Sequence, residues 1–216
     1  MVKSKDGGNV LFVGAGPSVK KYRNAIMNYI KHHKPAVLFL NINEHIPASL
    51  GDATVVAHES RALFDVQSYS ELGHPIIMPT ARLKNELGSH LEGLNIFDYG
   101  LILNDEAFDI ESTGCILQWP LAFAYALSVV TQANANEVLM VGFDGYKPDD
   151  PRQEEMNEVL ASYARLSNRL PLKALTPTNY MIPQGSVFEP VINLNDFVLV
   201  IPARYNSSRF PGKPLV

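Results

Sequence analysis

The sequence has one cysteine, one tryptophan and no long apolar run. Its single cysteine, Cys115, excludes an intramolecular disulfide and any zinc site built from several thiolates. No apolar stretch approaches the roughly 20 residues that a membrane-spanning helix needs. Residues 1–8 lack the apolar segment of a signal peptide. These absences predict a chain without a membrane span, and they favour a cytoplasmic location.

The charge balance sets a second limit. The chain has 18 lysines and arginines against 22 aspartates and glutamates, for a net charge of −4, and it contains no long basic run. Nucleic acid is therefore not indicated as a partner. The six histidines are scattered without a His-x-x-x-His spacing, so no metal site is predicted. A length of 216 residues with 46% hydrophobic content is sufficient for a substantial buried core.

Short apolar runs alternate with amphipathic stretches along the chain. Continuous apolar strands separated by helices predict an open, mostly parallel sheet with helices on both faces. We therefore predict a Rossmann-like α/β domain over residues 9–180, after a linker or start segment at 1–8. A linker is expected at 181–196 and the start of another domain at 197–216. The predicted strands are 10–13, 36–40, 53–57, 75–78, 99–103, 138–141 and 172–175, and the main predicted helices are 19–33, 117–132 and 151–169.

A glycine-rich turn follows the first predicted strand. Gly14 and Gly16 allow close approach of the backbone to a ligand, and Ser18 stands at a helix start whose free amides favour an anion. The dinucleotide fingerprint requires a third glycine where Val19 stands, so NAD is not indicated. The turn is interpreted as a phosphate-binding element, with a purely structural turn as the alternative.

Polar side chains also follow two later strands. Asn41 and Asn43 come directly after the second strand, and side-chain amides there can bind a base or a ribose. An Asx turn is the alternative explanation for these two residues. Asp144 follows the sixth strand, where a carboxylate can bind ribose hydroxyls or a divalent cation, or simply close a turn.

The segment Ser112, Thr113 and Gly114 precedes the long predicted helix. Two hydroxyls at a helix start can hold a phosphate or cap the free amides. Because the carboxyl ends of parallel strands meet at one edge, we expect these residues to share one cleft with Gly14, Gly16, Asn41 and Asp144.

Taken together, these motifs carry a family resemblance. Gly-x-Gly-Pro-Ser, Asn-x-Asn, Ser-Thr-Gly and Glu-Val-Leu-Met-Val-Gly-Phe-Asp, within residues 10–146, resemble the domain of bacterial family-42 sialyltransferases and hydroxymethylpterin pyrophosphokinase-like proteins. The resemblance implies CMP-sugar binding by the glycine turn, an asparagine and the hydroxyl pair. The sialyltransferases also use a late histidine as base, and the last histidine here is His90, so that role has no candidate. The region is also similar to a domain found between an aldolase-type barrel and a cytidylyltransferase in fused cell-surface sugar enzymes.

The last twenty or so residues carry a second resemblance. An apolar run at 197–201 leads into a loop with arginines, serines, a glycine and a lysine, a set of groups that suits a triphosphate. The stretch resembles the opening strand and nucleotide loop of the CMP-sugar synthetases. This implies nucleotide contacts for Arg204, Ser207, Arg209 and Lys213, and Mg²⁺ in the whole cytidylyltransferase, with its carboxylate ligands beyond Val216. The chain alone is therefore expected to lack cytidylyltransferase activity.

The sequence thus predicts a fragment of a multidomain enzyme of activated acidic-sugar synthesis, of the CMP-sugar, 3-deoxy-manno-octulosonate or nonulosonate type, as used for cell-surface polysaccharides. Its main domain is expected to bind a nucleotide (CMP or CTP) or a phosphorylated sugar, and its partners are neighbouring domains of the same polypeptide. One alternative is a non-catalytic Rossmann-like scaffold that joins neighbouring enzymes. Another is a stand-alone glycosyltransferase or pyrophosphokinase-like transferase.

Overall fold

The structure is a computed structural model that describes residues 8–105 and 107–189, without the side chain of Glu86. Its strands are β1 (Asn9–Val13), β2 (Ala36–Leu40), β3 (Ala53–Val55), β4 (Ile76–Met78), β5 (Ile96–Asp98), β6 (Gly100–Leu103), β7 (Asp109–Ile110), β8 (Gly114–Leu117), β9 (Glu137–Val141) and β10 (Leu172–Ala174). Its α-helices are α1 (Pro17–Lys21), α2 (Arg23–His33), α3 (Glu59–Asp65), α4 (Thr80–Leu87), α5 (Ala122–Gln132) and α6 (Pro151–Ala164).

Seven parallel strands form the main sheet in the order β10-β9-β1-β2-β3-β4-β5. Strand β1 lies between β2 and β9, so that Val13 is paired with Phe39 on one side and with Val141 on the other. The chain builds outward from β1 to β5 and then returns to the other side of β1 with β9. The strand order therefore reverses between β1 and β9. The prediction of an open, parallel, Rossmann-like sheet is confirmed.

Helices cover both faces of this sheet. Successive strand residues point to opposite faces, so Phe12 packs with Phe123 of α5 on one side while Leu11 packs with Ile26 of α2 on the other. The outer strands β3 to β5 pack against α3 and α4 through Ile76 and its neighbours. Burying a side chain such as Phe12, which has no exposed surface, contributes roughly 1.5–3 kcal/mol. This two-sided burial explains why the strands appear in the sequence as unbroken apolar runs.

A second sheet of three strands follows β5. Strand β6 pairs with β8 in parallel, and β7 pairs with β8 in antiparallel orientation. The predicted fifth strand, 99–103, is therefore wrong for the main sheet, where β5 ends one residue before Tyr99. Tyr99 separates the two sheets, with its carbonyl accepting a hydrogen bond from the Tyr125 hydroxyl. The contact between β6 and β8 requires glycine, since a Cβ on Gly114 would lie 2.8 Å from the carbonyl oxygen of Gly100.

Helix boundaries also differ from the sequence prediction in three places. The expected helix 19–33 is divided into α1 and α2 at Tyr22, whose backbone angles are φ −105° and ψ 19°. The expected start of α5 near residue 117 is wrong because Gly114–Leu117 is a strand that pairs with β6. The helix α6 ends at Ala164 rather than near residue 169.

Residues after β10 remain attached to the sheet as far as the structure describes them. The Gly185 amide donates to the carbonyl of Ala174 at 2.7 Å, and the Val187 amide donates to that of Leu175 at 3.0 Å. Val187 is buried in the core on the α2 side. In the described part of the expected linker, 181–189, Gly185 and Val187 are therefore hydrogen-bonded beside β10, while Met181 and Phe188 are exposed. The remaining linker, residues 1–7 and the terminal loop with Arg204, Ser207, Arg209 and Lys213 lie outside the described residues.

Within the described part of the chain, no helix is both long enough and apolar enough to cross a bilayer.

Candidate functional site

A cleft of about 490 Å³ lies at the carboxyl edge of the main sheet, where the strand order reverses between β1 and β9. Ligands of open α/β proteins bind at this place because the loops after the strands diverge there. The loops after β1 and β9, the end of β2 and the starts of α5 and α6 form its walls. Its lining includes Gly14, Ala15, Gly16, Pro17, Leu40, Asn41, Leu121, Ala122, Phe123, Gly142, Phe143, Asp144, Gly145, Tyr146, Arg152, Met156 and Tyr180.

Four of the predicted site residues share this cleft: Gly14, Gly16, Asn41 and Asp144. Asn43 does not line the cleft, and instead stabilises the glycine turn by hydrogen bonds. Its Nδ2 donates to the carbonyl of Gly14 at 3.0 Å, and its Oδ1 accepts from the amides of His45 and Ile46 at 2.9 Å each. This is the Asx-turn alternative for Asn43, and it links the loop after β2 to the glycine turn.

Ser112, Thr113 and Gly114 do not line the cleft, so the expectation that they share it is wrong. Ser112 and Thr113 are exposed in the turn between β7 and β8, closed by a hydrogen bond from the Glu111 amide to the Gly114 carbonyl at 2.8 Å. Helix α5 begins only after the far end of β8. At about 3.3 Å per residue, the length of β8 separates this turn from the helix start.

The carboxylate of Asp144 caps the start of α1. Its Oδ1 accepts from the Ser18 amide at 3.1 Å, and its Oδ2 accepts from the Ser18 hydroxyl at 2.7 Å. Asp144 follows β9, whereas Ser18 follows β1, so the cap joins the two strands that flank the reversal of strand order. The Gly16 amide is also bonded, to the Gly142 carbonyl at 2.9 Å. The amides of Gly14, Gly16 and Ser18, which the sequence suggested for phosphate binding, are therefore bonded within the protein.

The absence of a side chain at Gly16 makes this arrangement possible. A Cβ there would lie 2.0 Å from Oδ2 of Asp144 and 2.6 Å from the carbonyl oxygen of Gly142. Gly16 has φ −65° and ψ 154°, which any residue can adopt. The requirement for glycine therefore comes from close packing against Asp144, and not from backbone conformation.

A chain of hydrogen bonds through Ser18 and Thr176 fixes the position of Asp144. The Gly142 amide donates to Oγ1 of Thr176 at 3.0 Å, and the hydroxyls of Thr176 and Ser18 lie 3.1 Å apart. Because an ionised carboxylate only accepts, the Ser18 hydroxyl donates to Asp144 and accepts from Thr176. Ser18 and Thr176 are each 4% exposed, and hydrogen bonds in such buried chains reinforce one another. Thr176 follows β10, and no motif in the sequence marks it as a site residue.

Asn41 lines the cleft and has two unusual features. Its φ of 64° is left-handed, a conformation that asparagine tolerates better than most residues. Its Oδ1 is buried and has no hydrogen-bond partner among the residues that the structure describes. Most buried polar atoms are paired, so this acceptor, on a residue that lines the cleft, lacks a donor among the described residues.

The start of α5 forms another part of the cleft wall. Leu121 precedes the helix without a side-chain cap, and the Tyr125 amide donates to the Leu121 carbonyl at 3.0 Å. The amides of the preceding turn, from Ala122 to Ala124, have no partner within the helix. They carry the positive end of the helix dipole, which favours a negative group in this part of the cleft.

Arg152 brings a cation to the mouth of the cleft. Its guanidinium lies 4.3 Å from the ring centroid of Tyr146 and pairs with the carboxylate of Asp150 at 2.6 Å. The hydrogen-bonded pair lowers the pKa of Asp150 and raises the pKa of Arg152. Guanidinium has five N–H donors, so the pair with Asp150 leaves capacity for a ligand. The sequence signal for this region was Pro151 at a helix start, one residue from Arg152.

Tyr180 closes the cleft near Asp144. Burial, together with the nearby Tyr146 and Asp144, raises the pKa of Tyr180 to about 12. Its hydroxyl is therefore protonated at neutral pH and acts as a hydrogen-bond donor rather than a base. Burial likewise raises the pKa of Cys115, to about 12, so this thiol does not serve as a nucleophile at neutral pH.

The described residues include no group of three or more histidine, cysteine, aspartate or glutamate side chains that could hold a metal ion. Comparison with known proteins found no family model that matches the chain and no curated protein that matches it. The resemblances to CMP-sugar synthetases and family-42 sialyltransferases stay predictions from the motifs.

Proposed function

We propose that this Rossmann-like domain binds a nucleotide or a phosphorylated sugar in the cleft between β1 and β9, within a protein that makes or uses an activated acidic sugar. The single observation that carries the proposal is the unpaired Oδ1 of Asn41, a residue that lines the cleft at the reversal of strand order. A sugar hydroxyl or a base amino group would satisfy this acceptor. The resemblance of residues 201–214 to the nucleotide loop of CMP-sugar synthetases supports the same ligand class.

The phosphate of the ligand would lie toward α5 and α6 rather than on the glycine turn. The first-turn amides of α5 have no partner within the helix, and Arg152 stands at the same mouth of the cleft. The Ser18 amide, by contrast, is already bonded to Asp144. Charge and donors thus favour an anion at the α5 wall and a neutral part of the ligand near the turn.

A non-catalytic scaffold is the second candidate. It is favoured by the internal cap of α1, because Asp144 completes the glycine turn without any ligand. A scaffold would have no affinity for nucleotides or sugar phosphates, so binding separates the two candidates.

The test is a thermal-shift panel of the full chain with CMP, CTP, CDP, ATP, CMP-sugars and sugar phosphates, followed by calorimetry with any ligand that stabilises it. Replacing Asn41 with alanine removes the orphaned acceptor, and Arg152→Gln removes the cation. Both variants are expected to weaken binding several-fold.

Ser112→Ala serves as the matched control, because Ser112 is exposed and does not line the cleft. Its ligand affinity should equal that of the wild type. If no ligand of the panel stabilises the wild type at millimolar concentration, the scaffold candidate is correct and the binding proposal is wrong.

A further inference from the structure

Asp144 offers the cleft a fixed negative acceptor with unused capacity. A carboxylate has about four lone-pair sites, and the described contacts of its oxygens are those with the Ser18 amide and hydroxyl. Both of these donors belong to one buried residue, Ser18, so the other lone pairs of Asp144 are unused by any described contact, and Asp144 itself lines the cleft. The side chain is held in place by the chain of hydrogen bonds through Thr176.

The position of this carboxylate decides which part of a ligand can lie against the glycine turn. A phosphate placed there would face a like charge, and the Ser18 amide that would hold it is already used. A group that donates hydrogen bonds without carrying negative charge would gain from the same carboxylate. Vicinal hydroxyls meet this requirement, since two parallel O–H donors match the two oxygens of one carboxylate.

We infer that Asp144 is a specificity-determining residue that accepts hydrogen bonds from the 2′- and 3′-hydroxyls of a nucleotide ribose and keeps phosphate away from the glycine turn. The inference rests on the proposed function and adds the orientation of the ligand. The ribose lies against Asp144, and the phosphate lies toward the α5 start and Arg152. Gly16 then serves to admit the carboxylate of Asp144, and not to admit a phosphate.

The experiment measures the affinities of CMP and 2′,3′-dideoxy-CMP by calorimetry, for the full chain and for Asp144→Asn. Asparagine keeps an acceptor for Ser18 but has no charge. We expect Asp144→Asn to weaken CMP binding about tenfold and to leave the affinity for the dideoxy nucleotide within about twofold of wild type, because the hydroxyl pair and the carboxylate act as one coupled contact. The wild type should bind CMP more tightly than the dideoxy nucleotide by a similar factor.

The matched control is Asp98→Asn. Asp98 caps α4 with the same pair of contacts but does not line the cleft, so both nucleotide affinities should stay at wild-type values. Circular dichroism and a thermal melt of each variant verify that it is folded. Equal weakening of CMP and its dideoxy analogue by Asp144→Asn overturns the inference while the proposed function stands. Absence of CMP binding by the wild type overturns the inference and the nucleotide branch of the proposed function together.

Discussion

Two helices of this protein begin with the same device, a carboxylate supplied by the neighbouring strand. Asp144 after β9 caps α1, and Asp98 at the end of β5 caps α4. In each pair the carboxylate accepts from the backbone amide and from the side-chain hydroxyl of one residue, Ser18 in the first case and Thr80 in the second. The local chemistry of the two caps is the same.

Their surroundings differ. In the first cap, Ser18 is 4% exposed, and its hydroxyl is hydrogen-bonded to that of the buried Thr176. In the second cap, Asp98 is exposed at the end of the edge strand β5. The Asp144 cap joins residues 126 positions apart, while the Asp98 cap joins residues 18 apart. A hydrogen bond contributes most where its loss leaves buried donors unpaired. The comparison therefore predicts that the same substitution has unequal effects at the two positions.

The largest effect is expected where the buried cap requires close packing. Gly16→Ala would place a Cβ 2.0 Å from Oδ2 of Asp144 and 2.6 Å from a backbone oxygen, and the backbone cannot yield easily. We expect a loss of about 3 kcal/mol in the free energy of unfolding, measured by urea denaturation. Ala15→Ser, at the exposed residue between the two glycines, is the control and should change stability by less than about 0.5 kcal/mol. Equal stability of the two variants would contradict the packing described for Gly16.

The next effect tests the two caps directly. Asp144→Ala leaves the buried Ser18 amide and hydroxyl without their acceptor, so a loss of about 2 kcal/mol is expected. Asp98→Ala should cost only about 0.5–1 kcal/mol, since water can replace an exposed cap. Denaturant midpoints of both variants under one condition give the difference. A cost at Asp98 equal to that at Asp144 would show that burial does not distinguish the caps.

A smaller effect is expected one step further from the carboxylate. Thr176→Val keeps the shape but removes the acceptor of the Gly142 amide and the donor to Ser18, for a loss of about 1.5 kcal/mol. Thr176→Ser retains the hydroxyl and should be less destabilised than the valine variant. Calorimetric melting of the pair tests this order. If serine is no better than valine, the methyl group and not the hydroxyl of Thr176 supports the cap.

The smallest expected effect is a change of stability with pH that depends on His74, at the amino edge of the main sheet. The His74 ring contacts the Thr54 hydroxyl at 2.8 Å and the Ala48 carbonyl at 3.1 Å, and burial lowers its pKa. The unfolded chain therefore takes up a proton first as pH falls, so the His74 contribution is constant above about pH 6.5 and declines below it.

Urea denaturation at about pH 7.5 and about pH 5.5 tests this decline, with His74→Asn as the variant that does not titrate. The wild type should lose more stability than His74→Asn over this interval. Equal losses would assign the pH dependence to other groups, the aspartate caps among them.

The sequence was sufficient for the elements with strong local signals. The strands from β1 to β4 and β9 are apolar runs bounded by turns, so their positions and their common edge were predicted. It failed where two short strands lie one residue apart, at β5 and β6. Pairing in different sheets separates these strands, and local pattern does not encode pairing. For the same reason, the helix α5 was predicted to begin near residue 117, which belongs to β8.

Four residues of the candidate site were predicted from the sequence, but their contacts were not. Gly14, Gly16, Asn41 and Asp144 each carry a local signal, and they do share the cleft. The cap on α1 depends on contact between residues 126 positions apart, which no motif displays. Thr176, Tyr180 and Arg152 enter the site only through the fold. The hydroxyl pair at 112–113 is the opposite case. Its local pattern predicted two site residues, but both lie in an exposed turn away from the cleft.

The rate at which a thiol reagent labels Cys115 reports on opening of the small sheet. Cys115 is the one cysteine of the chain, it is 2% exposed on β8, and it packs in the core together with Leu127 of α5. Thiol reagents attack the thiolate, which burial disfavours, so the closed state reacts slowly. The rate of labelling therefore measures how often β8 separates from α5, the helix whose start forms one wall of the cleft.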